Sequence, residues 1–323
     1  MPLFLGVDTS NYTTSLSLYS TEGEVFVDLR EPLLVGDGEK GLRQSDAVFF
    51  HTKNLPVLFH RLRERLKEEK LSIEAIGVSS FPRRVTGSYM PCFLAGEGLA
   101  NSFGSALNVP VYAFSHQEGH IAAALYSAGR MDVLAGSFLA LHASGGTTEL
   151  VRVKGLSKDT AEMDICLLSA SLDIAAGQLI DRVGVMMGLS FPAGAEMDKL
   201  AERGKENTVR GGVWKNALKP EGVNLSGFEN QARRMLEEGI AKEDCARFII
   251  ETLGGLLEAL VKREQKNGEP LVLCGGVMEN TRLRGQFFKE NNCIFAGKGF
   301  SCDNATGIAA LAAVAKTGKL PGK

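Results

Sequence analysis

The chain has 323 residues, 44 % of them hydrophobic and 23 % charged, values typical of a soluble globular protein that can bury a large core and form about two domains. The 36 Lys and Arg nearly balance the 38 Asp and Glu, which excludes a protein that binds nucleic acid by bulk positive charge alone. With 37 Gly, only 10 Pro and no low-complexity tract, the composition favours tight turns and ligand loops lined by backbone over disorder.

The chain opens with a predicted β-hairpin. Residues 3–7 are an apolar run, residues 8–14 a polar turn, and residues 15–19 alternate polar and apolar side chains, the period of a half-buried strand. A second turn at residues 22–24 and a third strand at residues 25–27 are predicted to follow.

The same pattern recurs in the middle of the chain, where apolar residues 138–141, a polar turn at 142–148 and an alternating segment at 149–153 follow one another. A shift of 134 positions superimposes four identical pairs: Ser10 and Ser144, Thr13 and Thr147, Thr14 and Thr148, Leu16 and Leu150. An internal repeat of this kind indicates duplication. We therefore predict two related α/β lobes that face a cleft.

Hydrophobic periodicity predicts the remaining elements. The predicted helices are residues 54–71, 93–106, 169–187, 193–203, 245–264 and 305–316, and the predicted strands are residues 73–80, 109–113 and 270–274. Residues 205–222 are polar and are predicted to be a loop, in which Lys205, Arg210, Lys215 and Lys219 form either a nucleic-acid face or a solvated surface. We assign residues 1–134 and a returning C-terminal helix, 304–323, to the first lobe, and residues 135–303 to the second.

The start of the chain and the cysteines bear on the compartment. Residues 1–9 lack the basic segment and long apolar run of a signal peptide, and no run reaches the ~18 apolar residues of a membrane span. The six Cys are scattered and form no C-x-x-C pair, so a zinc ribbon or redox dithiol is not predicted. We expect a reduced, cytoplasmic protein.

Two of the five His, His116 and His120, stand four positions apart. On a helix, positions i and i+4 share a face, so both imidazoles can reach one metal ion. Glu118 lies about 200° round the helix from His116 and is expected to point away from that ion. Two packed histidines without a ligand are the alternative, since a metal site needs a third donor.

Asp303 is the candidate for the third donor. It precedes a predicted helix rich in small residues, where an ordinary N-cap is the alternative role for an Asp. Cys302 could ligate a soft metal, although a buried thiol is the simpler interpretation. Two His and one carboxylate suit iron, zinc or manganese.

The turn that contains Ser144, Gly145, Gly146 and Thr147 is a candidate phosphate site, because its backbone N–H groups and hydroxyls suit phosphate oxygens. The turn at residues 8–14 is its counterpart in the first half. Two such loops facing across a cleft resemble the phosphate loops of the superfamily of sugar kinases, heat-shock ATPases and actin. A tight glycine turn without a ligand is the alternative.

Gly275 and Gly276 end a predicted buried strand. Paired glycines permit close approach of the backbone to a flat ligand, and Asn280, expected one helical turn further on, could hydrogen-bond a ribose or a base. A plain strand-to-helix turn is the alternative.

Together these segments resemble the tRNA threonylcarbamoyladenosine transferases (the TsaD type, once classed as glycoprotease-like), and the matches are collinear over almost the whole chain. Residues 116–120 resemble the family's H-x-E-G-H motif, 144–148 its S-G-G-H-T loop with Thr147 in place of His, 171–177 followed by Asp181 its S-x-D-D-A-A-G segment, 191–194 its Y-P-G-G turn, 226–229 its S-G-L-K motif, 275–284 its G-G-V-x-x-N-x-x-L-R motif, and 303–304 its terminal Asp-Asn pair.

The resemblance implies an α/β fold of two duplicated, ribonuclease-H-like lobes with a central cleft. It also implies one divalent metal on His116, His120 and Asp303, and an adenine nucleotide or adenylate near Asp181, Gly194 and Asn280. The implied reaction transfers a threonylcarbamoyl group from its adenylate, made elsewhere, to the adenine amine of a tRNA, with loss of AMP. Implied partners are tRNA and another subunit of a tRNA-modification complex.

The first turn departs from the family's E-T-S-C-D-E-T, because Asn11, Tyr12 and Thr13 replace its acidic pair. The family's G-P-G loop is here a longer, basic segment at residues 81–91. These departures predict a diverged paralogue with Asp8 and Tyr12 as candidate catalytic residues, and weak or absent transfer to an ordinary tRNA.

Three alternatives remain open. One is a carbamoyl-type transferase whose different acceptor contacts Tyr12 and the loop at Arg83 and Arg84, and another is a catalytically silent nucleotide-binding scaffold. A peptidase is disfavoured, because no Glu adjoins His116 as a base.

Overall fold

The structure is a computed structural model that describes residues 2–10, 12–20, 22, 24–33, 42–66, 72–205, 216–266, 268–287 and 292–320. Its contacts divide the chain into two compact units. The first unit contains Met1–Gly136, Lys154–Asp164 and Cys302–Lys323, and the second contains Ser137–Val153 and Ile165–Ser301. The lobe limits predicted from the sequence place residues 154–164 in the second lobe, whereas the contacts of this segment lie in the first unit.

Strands and helices alternate along the described part of the chain. The strands are β1 (Pro2–Asp8), β2 (Thr13–Ser20), β3 (Val25–Pro32), β4 (Ser72–Phe81), β5 (Val111–Ser115), β6 (Phe138–Ala143), β7 (Thr148–Leu156), β8 (Met163–Ser171), β9 (Leu218–Lys219), β10 (Gly222–Val223), β11 (Leu271–Cys274) and β12 (Cys293–Phe295). The helices are α1 (Gln44–Leu66), α2 (Phe93–Leu107), α3 (His116–Ser127), α4 (Ala176–Met186), α5 (Gly194–Arg203), α6 (Ser226–Glu237), α7 (Lys242–Glu264), α8 (Thr281–Phe287) and α9 (Thr306–Thr317), with short 3-10 turns at Met131–Ala135 and Gly276–Glu279.

The first unit is built on a five-stranded sheet with the order β3-β2-β1-β4-β5. Strand β2 is antiparallel to both of its neighbours, β1 and β3, whereas β1, β4 and β5 run parallel. The hairpin and third strand predicted at the start of the chain are therefore confirmed.

The second unit contains a seven-stranded sheet with the order β12-β11-β6-β7-β8-β10-β9. Read from β8 to β12, five of its strands (β8-β7-β6-β11-β12) repeat the order of the first sheet, with β6 antiparallel to β7 and parallel to β11. The predicted shift of 134 positions carries the strand pair Asp8–Ser15 onto the pair His142–Glu149. The predicted duplication is thus confirmed down to the register of the hairpins.

Helix α9 returns to the sheet of the first unit and packs directly on it. A Cβ atom on Gly6 would collide with the carbonyl oxygen of Ala305, and one on Gly77 would lie 2.6 Å from the carbonyl oxygen of Ile308. A Cβ atom on Gly307 would collide with the carbonyl oxygen of Gly119 in α3. Glycines on β1, β4 and α9 therefore allow the close packing that brings residues 302–305 beside the end of β1.

Each sheet buries an apolar core against helices. In the first unit Leu5, Val7 and Leu16 of the sheet pack with Leu58 of α1 and Ala100 of α2. In the second unit one large cluster joins the sheet to α4, α5, α6, α7 and α8. The packing of each sheet against its helices therefore positions the ends of β1 and β6, where the two turns begin.

The predicted helix over residues 169–187 is wrong in its first part. Residues 163–171 are strand β8, and the helix starts only at Ala176, because Leu172 continues the strand with an N–H bond to the Val223 carbonyl and the Asp173 carboxylate accepts the Ile174 N–H. The other predicted helices and strands are confirmed, with two shifts: α1 begins at Gln44 and β5 at Val111. Residues 67–71 of the first predicted helix and residues 206–215 of the predicted loop, including Arg210 and Lys215, lie outside the described residues.

Within the described residues, no helix is both long and apolar enough to cross a membrane. All six cysteines are free thiols.

Candidate functional site

The two candidate metal-ligating histidines are placed by the junction of β5 and α3. Ser115 ends the strand and caps the helix: its hydroxyl accepts the Glu118 N–H at 3.2 Å, and the Glu118 carboxylate accepts the Ser115 N–H at 2.7 Å. His116 is therefore the first residue of α3 and His120 follows one turn later, as the spacing predicted.

Asp303 joins the histidines, as the sequence predicted. The Nε2 atoms of His116 and His120 lie 3.0 Å apart, and both approach the Asp303 Oδ1 atom, at 3.3 Å and 3.2 Å. The three donor atoms lie within 4.8 Å of one another. The alternative role of Asp303 as the cap of α9 is wrong, because Asn304 accepts the Thr306 N–H instead.

Asp8, at the end of β1, supports this cluster from behind. Its Oδ2 atom lies 2.9 Å from His116 Nδ1 and accepts the Ser79 hydroxyl, while Oδ1 accepts the Ser10 N–H at 2.7 Å. The side chain is completely buried. A carboxylate on Nδ1 fixes the proton there and turns the Nε2 lone pair towards His120 and Asp303.

The buried charges shift one another's pKa values. Burial disfavours the charged form of His116, yet the Asp8 carboxylate and hydrogen bonds to Asp303 and Asp8 raise its pKa to about 10. For His120, burial and the charge on His116 lower the pKa. Against the effect of burial, hydrogen bonds to both histidines hold the pKa of Asp303 below its usual range. The cluster therefore holds a proton that a cation can displace.

The residues fit a divalent metal ion. Donor atoms 3.0 to 3.3 Å apart match neighbouring ligands that each stand about 2.1 Å from one ion. Imidazole and carboxylate donors suit iron, zinc and manganese. The Asp8 contact to the far nitrogen of His116 is the support that metal-bound imidazoles normally have.

The residues of the first turn and the basic loop differ in how the protein holds them. Tyr12 is 45 % exposed, and Asn11 lies outside the described residues. The guanidinium of Arg84 pairs with Glu118 at 3.2 Å and Glu162 at 3.0 Å. Arg84 is thus held inside the first unit, whereas the sequence suggested an acceptor contact for it.

The turn between β6 and β7 is closed by its own bonds. The Ser144 N–H bonds to the Thr147 carbonyl at 2.7 Å, and the Thr147 N–H bonds to the Ser144 hydroxyl at 3.1 Å. Cβ atoms added at Gly145 and Gly146 would meet nothing within 4 Å. The two glycines therefore leave open space over their backbone.

Helix α4 begins against this turn. A Cβ atom on Gly177 would lie 2.7 Å from the Ser144 carbonyl oxygen and from Gly145, and the Ala176 N–H bonds to the Thr148 hydroxyl at 2.7 Å. The sequence analysis did not assign Thr148 this role, although its match to Thr14 in the repeat was a signal. A helix N-terminus beside an open glycine turn favours an anion.

The two glycines after β11 have different roles. Gly275 has φ +91°, and a Cβ atom on it would collide with the Ala143 carbonyl oxygen, whereas one on Gly276 would meet nothing within 4 Å. The fold therefore requires Gly275, which brings this loop beside the end of β6. Asn280 lies before α8 and not inside it, because its Oδ1 atom accepts the N–H groups of Arg282 and Leu283.

Asp181 lies in the middle of α4, and Gly194 is the first residue of α5. The Asp181 carboxylate accepts the Ala193 N–H at 2.8 Å, and burial raises its pKa. A Cβ atom on Gly194 would meet nothing within 4 Å.

A further carboxylate that the sequence analysis did not single out is Asp173, which accepts the N–H groups of Leu225 and Ser226 and the Ser226 hydroxyl. It therefore anchors the start of α6. The distance in sequence between Asp173 and Ser226 left no local signal for the contact.

The family model and the similar proteins that match this chain carry the same name. The family model described as tRNA N6-adenosine threonylcarbamoyltransferase (TsaD) matches residues 42–310. Proteins of that name from two strains of Thermus thermophilus are 31 % identical over 312 residues, which cover 95 % of this chain and 91 % and 90 % of theirs.

Solved structures share the fold at low sequence identity. Component A of the (R)-2-hydroxyglutaryl-CoA dehydratase of Acidaminococcus fermentans has a TM-score of 0.58 at 12 % identity, with 98 % of this chain and 99 % of that chain covered. A ROK family glucokinase from Streptomyces griseus has a TM-score of 0.53 at 13 % identity, with 96 % and 99 % covered. The predicted fold class, which this chain shares with sugar kinases, is confirmed.

Proposed function

The chain belongs to the tRNA N6-adenosine threonylcarbamoyltransferase family, and from that premise we propose that it is a metal-dependent transferase. Its reaction moves a threonylcarbamoyl group from the adenylate to the adenine amine of a tRNA. The observation that carries this proposal is the cluster of His116, His120 and Asp303, with three donor atoms within 4.8 Å of one another.

Each residue of the cluster has a distinct task in this proposal. His116, His120 and Asp303 would hold one ion of iron, zinc or manganese, which when bound supplies Lewis-acid polarisation of a substrate carbonyl. Asp8 keeps the proton on His116 Nδ1 and so leaves Nε2 free to ligate. Because Ser10, Ser79 and His116 occupy the Asp8 carboxylate, we infer a supporting role for Asp8 and not that of a general base.

The second unit would bind the adenine nucleotide. The open backbone of Gly145 and Gly146, beside the N-terminus of α4, suits the phosphate. The open space at Gly276 and Gly194 suits the nucleoside. Asp181 and Asn280 accept hydrogen bonds from backbone N–H groups, of Ala193 and of Arg282 and Leu283 respectively. In this proposal they hold the backbone beside Gly194 and Gly276 in place for the nucleoside.

The acceptor is the least constrained part of the reaction. A positioned acid or base typically contributes about a hundred- to ten-thousand-fold in rate, and the first turn lacks the family's acidic pair. We therefore infer slow transfer to an ordinary tRNA. The occupied Asp8 carboxylate favours, as second candidates, a carbamoyl-type transferase with another acceptor or a silent nucleotide-binding subunit of a tRNA-modification complex.

Reconstitution tests the proposal. Wild type, His116→Ala and Asp303→Ala are each mixed with tRNA and the threonylcarbamoyl adenylate, the modified nucleoside is scored by mass spectrometry, and metal is measured by elemental analysis. We expect slow modification and about one ion per chain for wild type, and neither for the folded variants. Asp28→Ala, which removes a carboxylate that pairs with Arg30, is the matched control.

Other outcomes of this experiment would contradict particular parts of the proposal. Full metal content in both variants would overturn the metal site. Nucleotide binding without any transfer would favour the silent subunit, and turnover as fast as that of an orthodox family member would remove the case for a diverged paralogue.

A further inference from the structure

Glu118 lies between the two histidines in the sequence, yet its side chain faces away from them and the proposed reaction does not use it. Its carboxylate is completely buried. We propose that Glu118 is a positioning residue, which together with Arg84 clamps the first turn of α3 and thereby sets the separation of the His116 and His120 Nε2 atoms. This inference rests on the proposed metal site.

Five hydrogen bonds converge on the Glu118 carboxylate. Oε2 accepts the Ser115 N–H at 2.7 Å, the Ser115 hydroxyl at 2.6 Å and an Arg84 Nη2–H at 3.2 Å. Oε1 accepts the Met163 N–H at 2.8 Å and the Arg84 Nε–H at 3.4 Å. Because every partner is a donor, a carboxylate satisfies all of them, whereas the NH₂ group of a glutamine would face donors at one of the two positions.

The clamp ties four segments of the first unit together. Ser115 ends β5, Arg84 belongs to the loop after β4, and Met163 starts β8. Arg84 reaches further, to Glu162 at 3.0 Å and to the Ala113 carbonyl at 3.2 Å. The start of α3 is therefore held against three neighbours at once.

Such a clamp matters because the first turn of a helix is its least constrained part. Its N–H groups have no partners within the helix, and His116 is the first residue of α3. Asp8 orients the ring of His116, but the position of the His116 Cα atom, from which the side chain extends, depends on the backbone of residues 115–118. Metal ligands must be held to within about 0.5 Å, so a loosened first turn should weaken metal binding.

A purely structural cap makes a different prediction. It would lower the stability of the metal-free protein and leave the metal affinity of the folded protein unchanged. A positioning residue lowers the affinity even where the protein is fully folded, typically by about 10- to 100-fold for groups behind the ligands.

The test uses the full chain, stripped of metal and titrated with Co²⁺. The visible absorption reports the coordination and a competing chelator gives the affinity, while urea unfolding of the metal-free protein is followed in parallel. For Glu118→Gln we expect an affinity about 10- to 100-fold lower and an altered Co²⁺ spectrum, and for Arg84→Met a smaller loss in the same direction. Glu162→Gln, which leaves the pair of Arg84 and Glu118 in place, should stay within about twofold of wild type.

Folded Glu118→Gln with wild-type Co²⁺ affinity would overturn the proposal, however much stability it has lost. If this variant does not fold, Ser115→Ala serves in its place, because it removes only the 2.6 Å bond and the Ser115 side-chain cap; a lower affinity supports the clamp and an unchanged one refutes it. Failure of wild type to bind Co²⁺ would refute the metal site itself and this inference with it, which distinguishes the two failures.

Discussion

The two hairpin turns have the same register and opposite uses. In the first unit the side chains at the end of β1 and in the turn after it form hydrogen bonds within the protein. Asp8 accepts from Ser10 and Ser79 and contacts His116, and the Thr9 hydroxyl donates to the Cys92 carbonyl. In the second unit the turn after β6 closes on its own backbone and leaves its glycines open. The first turn therefore supports the candidate metal-ligating side chains, whereas the second leaves open the backbone that the proposed function assigns to the phosphate.

A helix abuts each turn, although the two helices hold different places in the repeat, since α2 follows β4 whereas α4 follows β8, the counterpart of β3. Gly96 of α2 donates its N–H to the Thr9 hydroxyl at 3.1 Å, and Gly177 of α4 donates its N–H to the Ser144 carbonyl at 3.0 Å. Both glycines allow an approach that a Cβ atom would block. The strands, the turn and their register are thus shared by both halves, whereas the abutting helix differs, and a few side chains decide which turn supports other side chains and which leaves its backbone open.

The largest expected effect concerns the charge that supports the first turn. In the metal-free protein the pKa of His116 is raised from 6.5 to about 10, so its contribution to stability is complete below pH 6.5 and is lost as the pH rises towards 10. The difference in free energy of unfolding between wild type and His116→Gln should fall by up to about 1.4 kcal/mol per pH unit across this range. Urea unfolding with excess chelator measures it.

Gly145→Ala in the second turn is the control for this experiment, since the added Cβ atom would meet nothing within 4 Å, and its effect should not vary with pH. A difference for His116→Gln that stays constant from about pH 6 to about pH 10 would contradict the proposed charge support.

The next effect separates support from ligation. Asp8→Asn keeps the volume of the side chain, but its NH₂ group must face donors, either the Ser10 N–H or Ser79 and His116, so metal affinity should fall by about 10- to 100-fold. Competition with a chelator measures the affinity. Asp28→Asn makes the same chemical change at a pair with Arg30 and should have no effect; equal losses in both variants would show that Asp8 has no special role.

A third pair of variants tests the loop beside the second turn. Gly275→Ala should lose about 2 to 4 kcal/mol of stability, because it combines a positive φ with a collision with the Ala143 carbonyl. Gly276→Ala should stay within about 0.5 kcal/mol, while Gly276→Arg should keep stability and weaken the binding of AMP or ATP in isothermal titration. Tight nucleotide binding by Gly276→Arg would place the ligand elsewhere.

The smallest effect is expected at the open turn itself. Gly145→Ala adds a methyl group where nothing lies within 4 Å, so stability should change by less than about 0.5 kcal/mol. If this backbone binds phosphate, nucleotide affinity should fall about fivefold, the equivalent of about 1 kcal/mol for one weakened hydrogen bond. A large loss of stability would instead mean that the turn is packed, like its counterpart.

The sequence by itself determined the features that depend on nearby residues. Alternating side chains fixed both hairpins, and the 134-position repeat fixed their common register. The i, i+4 spacing predicted that His116 and His120 share one face of the helix and that the Glu118 side chain points away from that face. These patterns are local, so the periodicity of the chain carries them.

Tertiary structure decided which polar groups meet across long separations. By its local sequence Asp303 was compatible with a helix cap and with metal ligation, and only α9, packed on Gly6 and Gly77, placed it beside His116. The start of α4 was misplaced because the contacts that end β8, from Leu172 to Val223 and from Asp173 to Ser226, span about fifty residues. Gly275 and Gly276 are adjacent and chemically the same, and only the folded backbone, with a positive φ and the Ala143 carbonyl beside Gly275, makes one of them indispensable. Such differences depend on close packing between distant segments, which no local pattern encodes.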